Sequence, residues 1–406
     1  AACEFGGDMR ERINAEGILL RMERIRQRKE QKEICTRICA VSTLSKIETG
    51  KQKADPFILE KLYRELGIHY ISDESTVAML REKVDKFYEQ FSYQREQQIF
   101  RELKSKKEIL WHSPLAADWM VICALMEEGE EWIPVLEECR DFLTRRQRGW
   151  YLLALSERMG QKGVENGREA AAILQNSISL VQLVHVLYTA GEYRLVLETA
   201  DRAAMAALEE GNLWTLAESH NMKGTVYACF NMEEMMLKEY KIAANLLEES
   251  RWGEHLRNIY YNIGATYLGI GRYGEAEEYL KKAVPGDGSS LGGYMLHHKL
   301  ALLWARTGKS DKAWEQAAVM EAWPGKSEME NRILQITKME LEKRMGEDIF
   351  LEQLEQLMEY FHKRKMFGYM MFFHSLLREQ YKNRRMYRKA FLLEKIFSDI
   401  QRKTTF

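Results

Sequence analysis

The chain has 406 residues, of which 46% are hydrophobic and 30% charged, with only five prolines and a formal net charge of −1. That is enough apolar material for more than one core, and so few prolines favour a run of helices over an all-β fold. No run of eighteen apolar residues occurs and no charged-then-apolar leader opens the chain, so a cytoplasmic protein is expected, neither inserted in a membrane nor exported.

In chain order, Ala1-Ala-Cys-Glu-Phe-Gly-Gly-Asp8 shows no periodicity and precedes Met9, where a charged helical pattern begins; residues 1–8 are expected to be an expression remnant. Charge is unevenly placed. Residues 9–70 hold fourteen Lys and Arg against nine Asp and Glu, a net of +5, while 1–8 carry −2 and 71–406 carry −4. Inside the basic stretch, Arg37-Ile-Cys-Ala-Val-Ser-Thr-Leu-Ser-Lys-Ile-Glu-Thr-Gly50 combines two helix-compatible segments with a glycine stop. Leu44 and Ile47 fall on one side of the second segment. Val41, Ser42, Thr43 and Lys46 are left for the outer face, so a DNA-binding helix-turn-helix is expected.

These residues resemble the Xre-type helix-turn-helix family, and more narrowly the form in the peptide-responsive bacterial regulators grouped as RRNPP. The resemblance covers about residues 14 to 70 and rests on Gln31, Ile34-Cys35, Ile38-Cys39-Ala40, Leu44-Ser45-Lys46-Ile47-Glu48, Thr49-Gly50, Phe57-Ile58-Leu59 and Leu66-Gly67-Ile68. Departures are Arg37 where the family often has Gly, Ala40 where a capping Ser is usual, and Thr49 for Asn. By this resemblance Val41, Ser42, Thr43 and Lys46 should meet base edges in the major groove of a palindromic operator. Gln31, opening the preceding helix, and Lys51 and Lys53, just past Gly50, should hold phosphates.

From about residue 74 onward the chain is a series of amphipathic segments of ten to eighteen residues with no credible strand. Segments 76–91, 94–110, 115–127 and 131–146 read as divergent helix pairs. Tyr260-Tyr-Asn-Ile-Gly-Ala-Thr-Tyr267, followed by Gly271, Tyr273, Ala276, Leu280 and Ala283, has the spacing of a tetratricopeptide repeat. Further copies are marked by Tyr188, Gly191, Tyr193 and Ala204; by Gly224, Tyr227, Tyr240 and Ala243; by Trp304, Gly308, Ala313 and Ala317; and by a terminal Tyr381, Tyr387 and Ala390, with 349–401 expected as the closing pair. Tyr188, Tyr227, Tyr267 and Trp304 lie 39, 40 and 37 residues apart, which is long for such repeats. An all-α chain is therefore predicted, a helix-turn-helix domain followed by a right-handed α-solenoid; a HEAT-type solenoid is the alternative.

Catalytic signals are lacking. Pro285-Gly-Asp-Gly-Ser-Ser-Leu-Gly-Gly293 has glycines but no preceding strand, and is expected as a loop rather than a nucleotide site. His297-His298 points to two sides of one helix, Glu127-Glu128 and Glu130-Glu131 flank Gly129 at a helix end, and the six cysteines show no zinc spacing. No enzyme, metal or cofactor is expected. A second candidate site is the concave face of the repeats, where Asn221, Asn258, Tyr261, Asn262 and His298 fall on or beside groove positions. An asparagine amide can pair both the N–H and the C=O of an extended peptide, although Asn262 is equally suited to bridging helices.

The expected organisation is a five-helix DNA-binding domain over 9–71, a helical linker over 72–92 and a repeat domain over 93–406. The expected function is a transcriptional regulator whose solenoid dimerises and senses a short peptide. The rivals are a scaffold holding a partner protein, and a constitutive phage-type repressor whose solenoid only dimerises.

Overall fold

The structure is a computed structural model and describes residues 4–71, 73–91, 96–126, 132–158, 161–230, 232–248, 250, 253–284 and 293–402. The expected loop at 285–292 and the acidic cluster at 127–131 lie outside the described residues. Among those described, every regular element is helical and no helix is long and apolar enough to cross a membrane. Two compact units are formed, 1–183 and 184–406.

The first unit opens with α1 (Glu4–Arg26), α2 (Gln31–Cys35), α3 (Val41–Glu48) and α4 (Pro56–Leu66). Residues 9–71 therefore hold four helices rather than five. Asp55 caps α4 by accepting from the Phe57 and Ile58 N–H groups, and Gly67, left-handed at φ 69°, ends it. The next helix is α5 (Glu74–Phe91), in the expected linker. Then come α6 (Gln97–Lys104), α7 (Lys107–Trp111), α8 (Ala116–Leu125), α9 (Trp132–Cys139), α10 (Arg145–Arg158) and α11 (Gln161–Leu174). Two expected single helices are broken: 94–110 divides at Ser105-Lys106, and 131–146 divides at a short 3-10 turn over Arg140–Phe142.

Ile18, Leu19, Leu20 and Met22 on α1 are buried with Leu44 and Ile47 of α3 and Leu59, Leu62 and Leu66 of α4. α1 approaches α3 so closely that a Cβ on Gly17 would lie 2.1 Å from the Ile47 carbonyl oxygen. The same helix also packs on α8 and α9. Glu23 accepts a hydrogen bond from the Trp111 indole N–H at 3.0 Å, and Arg21 donates to the Glu138 carbonyl at 3.1 Å.

α12 (Ser177–Ala190) carries the boundary between the units. The second unit continues with α13 (Tyr193–Glu210), α14 (Leu213–Cys229), α15 (Glu233–Leu247), α16 (Gly253–Gly269), α17 (Tyr273–Lys282), α18 (Gly293–Arg306) and α19 (Ser310–Ala322). It closes with α20 (Glu328–Leu341), α21 (Asp348–Lys363), α22 (Phe367–Asn383) and α23 (Tyr387–Arg402). α14 with α15, α16 with α17 and α18 with α19 form the tetratricopeptide-like pairs. At Gly264 a side chain would run into Leu280, with its Cβ 2.7 Å from that side chain and 2.9 Å from its backbone N, which is why a residue without one stands at the crossing. Ala276 and Ala313, each five residues past the turn glycine of its pair, are fully buried.

Three sequence markers shift. In the 188–210 copy the buried small residue is Ala203, and Ala204 is only half-buried. Counting twelve residues from the turn glycine, as from Gly271 to Ala283, gives Ala203 from Gly191. Tyr387 is exposed rather than packed. Residues 349–401 form three helices instead of a pair, because Lys365 and Arg385 take left-handed turns at φ 56° and 58° where no glycine signals a break.

Candidate functional site

The residues expected to contact DNA come together on and around α3. Ala40 starts the helix with extended backbone and no side-chain cap, and Arg37, in the turn before it, is left-handed at φ 63°. That conformation costs a side-chain-bearing residue ~1–2 kcal/mol, which accounts physically for glycine at this place in the resembled family. Leu44, Ile47 and Glu48 are buried, leaving Val41, Ser42 and Lys46 exposed and Thr43 half-buried on the outer side. Gly50 is left-handed at φ 66°, and Lys51 and Lys53 beyond it are exposed.

Gln31 departs from expectation. Its side-chain amide donates to Glu48 at 2.8 Å, and the short α2 begins between Glu30 and Glu33, whose carboxylate accepts from the Glu30 N–H. This helix start presents acid, not free N–H groups, to an incoming phosphate. Glu48, unremarked in the motif, is the pivot of the domain: Arg24 grips its two oxygens at 2.7 and 2.9 Å, tying α3 to α1. A fully buried acid looks in sequence like any solvated one, and only its place between apolar Ile47 and the glycine stop hints otherwise.

The residues expected in the groove divide into two groups. Asn221, buried on α14, accepts from the Asn262 amide at 3.1 Å and donates to Glu218 at 3.0 Å. Glu218 lies one helical turn before Asn221, is 3% exposed, and receives His185 at 2.9 Å on one oxygen and His255 on the other. Burial alone would raise the Glu218 carboxyl, but the hydrogen bonds and charges of the two imidazoles win and hold it well below the usual range. Asn258 is exposed, one turn from Asn262. Glu218, His185 and His255 escape a reading of the sequence because they are far apart in the chain. Their only local signal is an ionisable residue three positions before Asn221 and before Asn258.

The second group is covered by α22. Lys365, just ahead of that helix, donates to the Ala190 carbonyl at 2.9 Å; Phe367 meets Tyr193 at 5.9 Å between ring centroids; and the Phe372 ring packs against the core of α14 to α18. Tyr261 is half-buried, and burial near Tyr369 and Tyr240 pushes its hydroxyl well above the ordinary range. His298 is 1% exposed, stacked on Phe373 at 5.9 Å, and its Nδ1 has no hydrogen-bond partner. The polar, open face expected at His298 is thus an aromatic contact within the chain. Among the described residues no group of three or more His, Cys, Asp or Glu is arranged to hold a metal.

No protein-family model matches the sequence, and no curated protein matches it significantly. Solved structures do share its fold. A Rap protein complexed with competence and sporulation factor aligns with TM-score 0.60 and 15% identity over 80% of this chain and 98% of that one. The apo form of the quorum sensor NprR from B. thuringiensis aligns with TM-score 0.54 and 13% identity, over 80% and 99%. Aspartyl phosphate phosphatase F from Bacillus subtilis aligns with TM-score 0.52 and 14% identity, over 80% and 94%. The chain is an all-helical protein built on tetratricopeptide-like helix pairs. In particular, its fold is that of the Rap and NprR structures.

Proposed function

We propose that this chain is a cytoplasmic transcriptional regulator of the RRNPP type, which binds a palindromic DNA operator as a homodimer and senses a short peptide in its repeat domain. The observation that carries the DNA half is the two-sided character of α3: Leu44, Ile47 and Glu48 are buried and Val41, Ser42 and Lys46 exposed, with Lys51 and Lys53 exposed just beyond. Ser42 and Thr43 offer donor or acceptor, Val41 can touch a thymine methyl, and Lys46 can reach guanine O6 and N7. Lys51 and Lys53 serve phosphates, and Gln31 joins them once its amide leaves Glu48.

For the peptide half, support comes from likeness in fold to the quorum sensor NprR and to a Rap protein in complex with competence and sporulation factor. The proposed contacts are Asn221, Asn258, Tyr261, Asn262 and His298, the last reached only when α22 moves. For dimerisation, α23 presents Tyr387 and Phe391, one helical turn apart, as exposed apolar side chains, with Leu392 and Ile396 exposed farther round the helix. The rival of a constitutive repressor is favoured by one observation, the aromatic cover that α22 lays over His298.

Selection from a random duplex library tests the proposal. An inverted repeat should be enriched, and affinity for it should fall steeply with salt, by roughly one log–log unit per phosphate neutralised. Ser42→Ala or Lys46→Ala should relax base preference by ~1–3 kcal/mol per lost contact. Lys53→Ala should weaken all duplexes alike. No enrichment, or binding indifferent to salt, refutes the DNA-binding assignment.

A further inference from the structure

Lys299 stands next to His298 on α18 and is 3% exposed. Among the described residues no carboxylate lies within ion-pair distance of its ammonium. What the ammonium has instead is the face of Phe372 on α22, 2.9 Å from the ring centroid, with Phe373 at 5.9 Å. Beside it the His298 imidazole, also against Phe372 and Phe373, leaves its Nδ1 unpaired. Arg306, on the same helix, adds a second positive charge, and its described hydrogen bond goes to the Leu268 carbonyl.

The acid that acts on both cations is Glu340 of α20. Burial, opposed by Arg306 and Lys299, pushes its carboxyl up to about 7. Burial with Arg306 close by drives the Lys299 ammonium well below its ordinary value. A ring face repays only part of the hydration a buried ammonium gives up. A buried ammonium set against a ring face thus stands beside an unpaired imidazole nitrogen, with no carboxylate within ion-pair distance of that ammonium among the described residues.

We propose that Lys299 and His298 form a carboxylate-binding subsite of the peptide groove, closed by Phe372 of α22 and opened when a peptide carboxylate displaces that ring. This rests on the peptide-sensing function proposed above and adds to it the chemistry of one end of the ligand. The carboxylate comes from the peptide C-terminus or from an Asp or Glu side chain, and both supply the same two acceptor oxygens. Binding and the release of α22 are then one event, because ring and carboxylate compete for the same ammonium.

The test uses the full chain and three random heptapeptide pools: free C-terminus without Asp or Glu; amidated C-terminus with Asp and Glu; amidated without either. Retained peptides are counted by mass spectrometry. The first or second pool should be retained several-fold over the third, and which of them wins identifies the source of the carboxylate. Lys299→Met should abolish that preference while melting no lower than the wild type, and Phe372→Ala, which removes the competing ring, should increase retention of the preferred pool. Equal retention of all three pools overturns the carboxylate subsite and leaves the peptide groove standing, as does a preference unchanged in Lys299→Met. Retention of none overturns both.

Discussion

Two buried carboxylates organise the chain at the residue scale, Glu48 held by Arg24 and Gln31, and Glu218 held by His185, His255 and Asn221. Each replaces lost hydration with several directed donors, the condition for keeping a charge out of water. Glu218 is depressed in the folded chain, so its folded state binds a proton less readily than the unfolded one. Its contribution to stability is present above the unfolded carboxyl value of 4.5 and is lost as pH falls below it toward the lower folded value. Glu218→Gln should therefore cost ~1–3 kcal/mol at neutral pH, from donors left without an acceptor, and should flatten the acid limb of a melting-temperature profile. An unchanged acid limb would show that Glu218 contributes nothing there. The sequence marks Asn221 and Asn262 as candidates for the groove, but it does not reveal that they bond each other. A hydrogen bond between residues 41 apart depends on which helices stack, and no local pattern carries that.

Helices are legible wherever their pattern depends on near neighbours. The pairs from α12 to α19 announce themselves through glycine turns and small residues at the crossings, and α3 through Leu44, Ile47 and Gly50. Breaks without glycine do not. Lys343, Lys365 and Arg385 all adopt left-handed turns with ordinary side chains, so the helices around α21 to α23 run together in the sequence. The contact of α1 with α3 is equally hidden, since Gly17 inside a helix reads as a weak point rather than as a crossing. Gly17→Ala should drive a methyl into the Ile47 carbonyl, which belongs to backbone and cannot rotate away. A destabilisation of ~1–3 kcal/mol or more is expected in a thermal melt, together with weaker DNA binding. A variant as stable as the wild type would mean that α1 and α3 are farther apart than this structure places them.

For the molecule as a whole, the dimer proposal makes a simple demand of α23. Phe391 is 69% exposed on a face of α23 shared with Tyr387, one helical turn earlier. If that face joins two copies, Phe391→Glu should halve the mass measured by light scattering while leaving the melting transition within about 0.5 kcal/mol of the monomer's own stability, as for other surface changes. A mass unaffected by the charge would move the dimer contact elsewhere.

The helices proposed to read DNA share an interior with α8 and α9, and this bears on how such a chain can be rearranged. Ile18 to Met22 of α1 are largely buried, and α1 is tied onward by Trp111 to Glu23 and by Arg21 to Glu138, so cutting after residue 71 would strip neighbours from the helix that braces α3. A graft of these seventy residues onto a foreign sensor would carry an apolar stripe without its mate. Exchange of operator specificity between relatives should therefore proceed by replacing the few outward side chains of α3, a change that leaves the shared interior intact, and not by trading the domain whole.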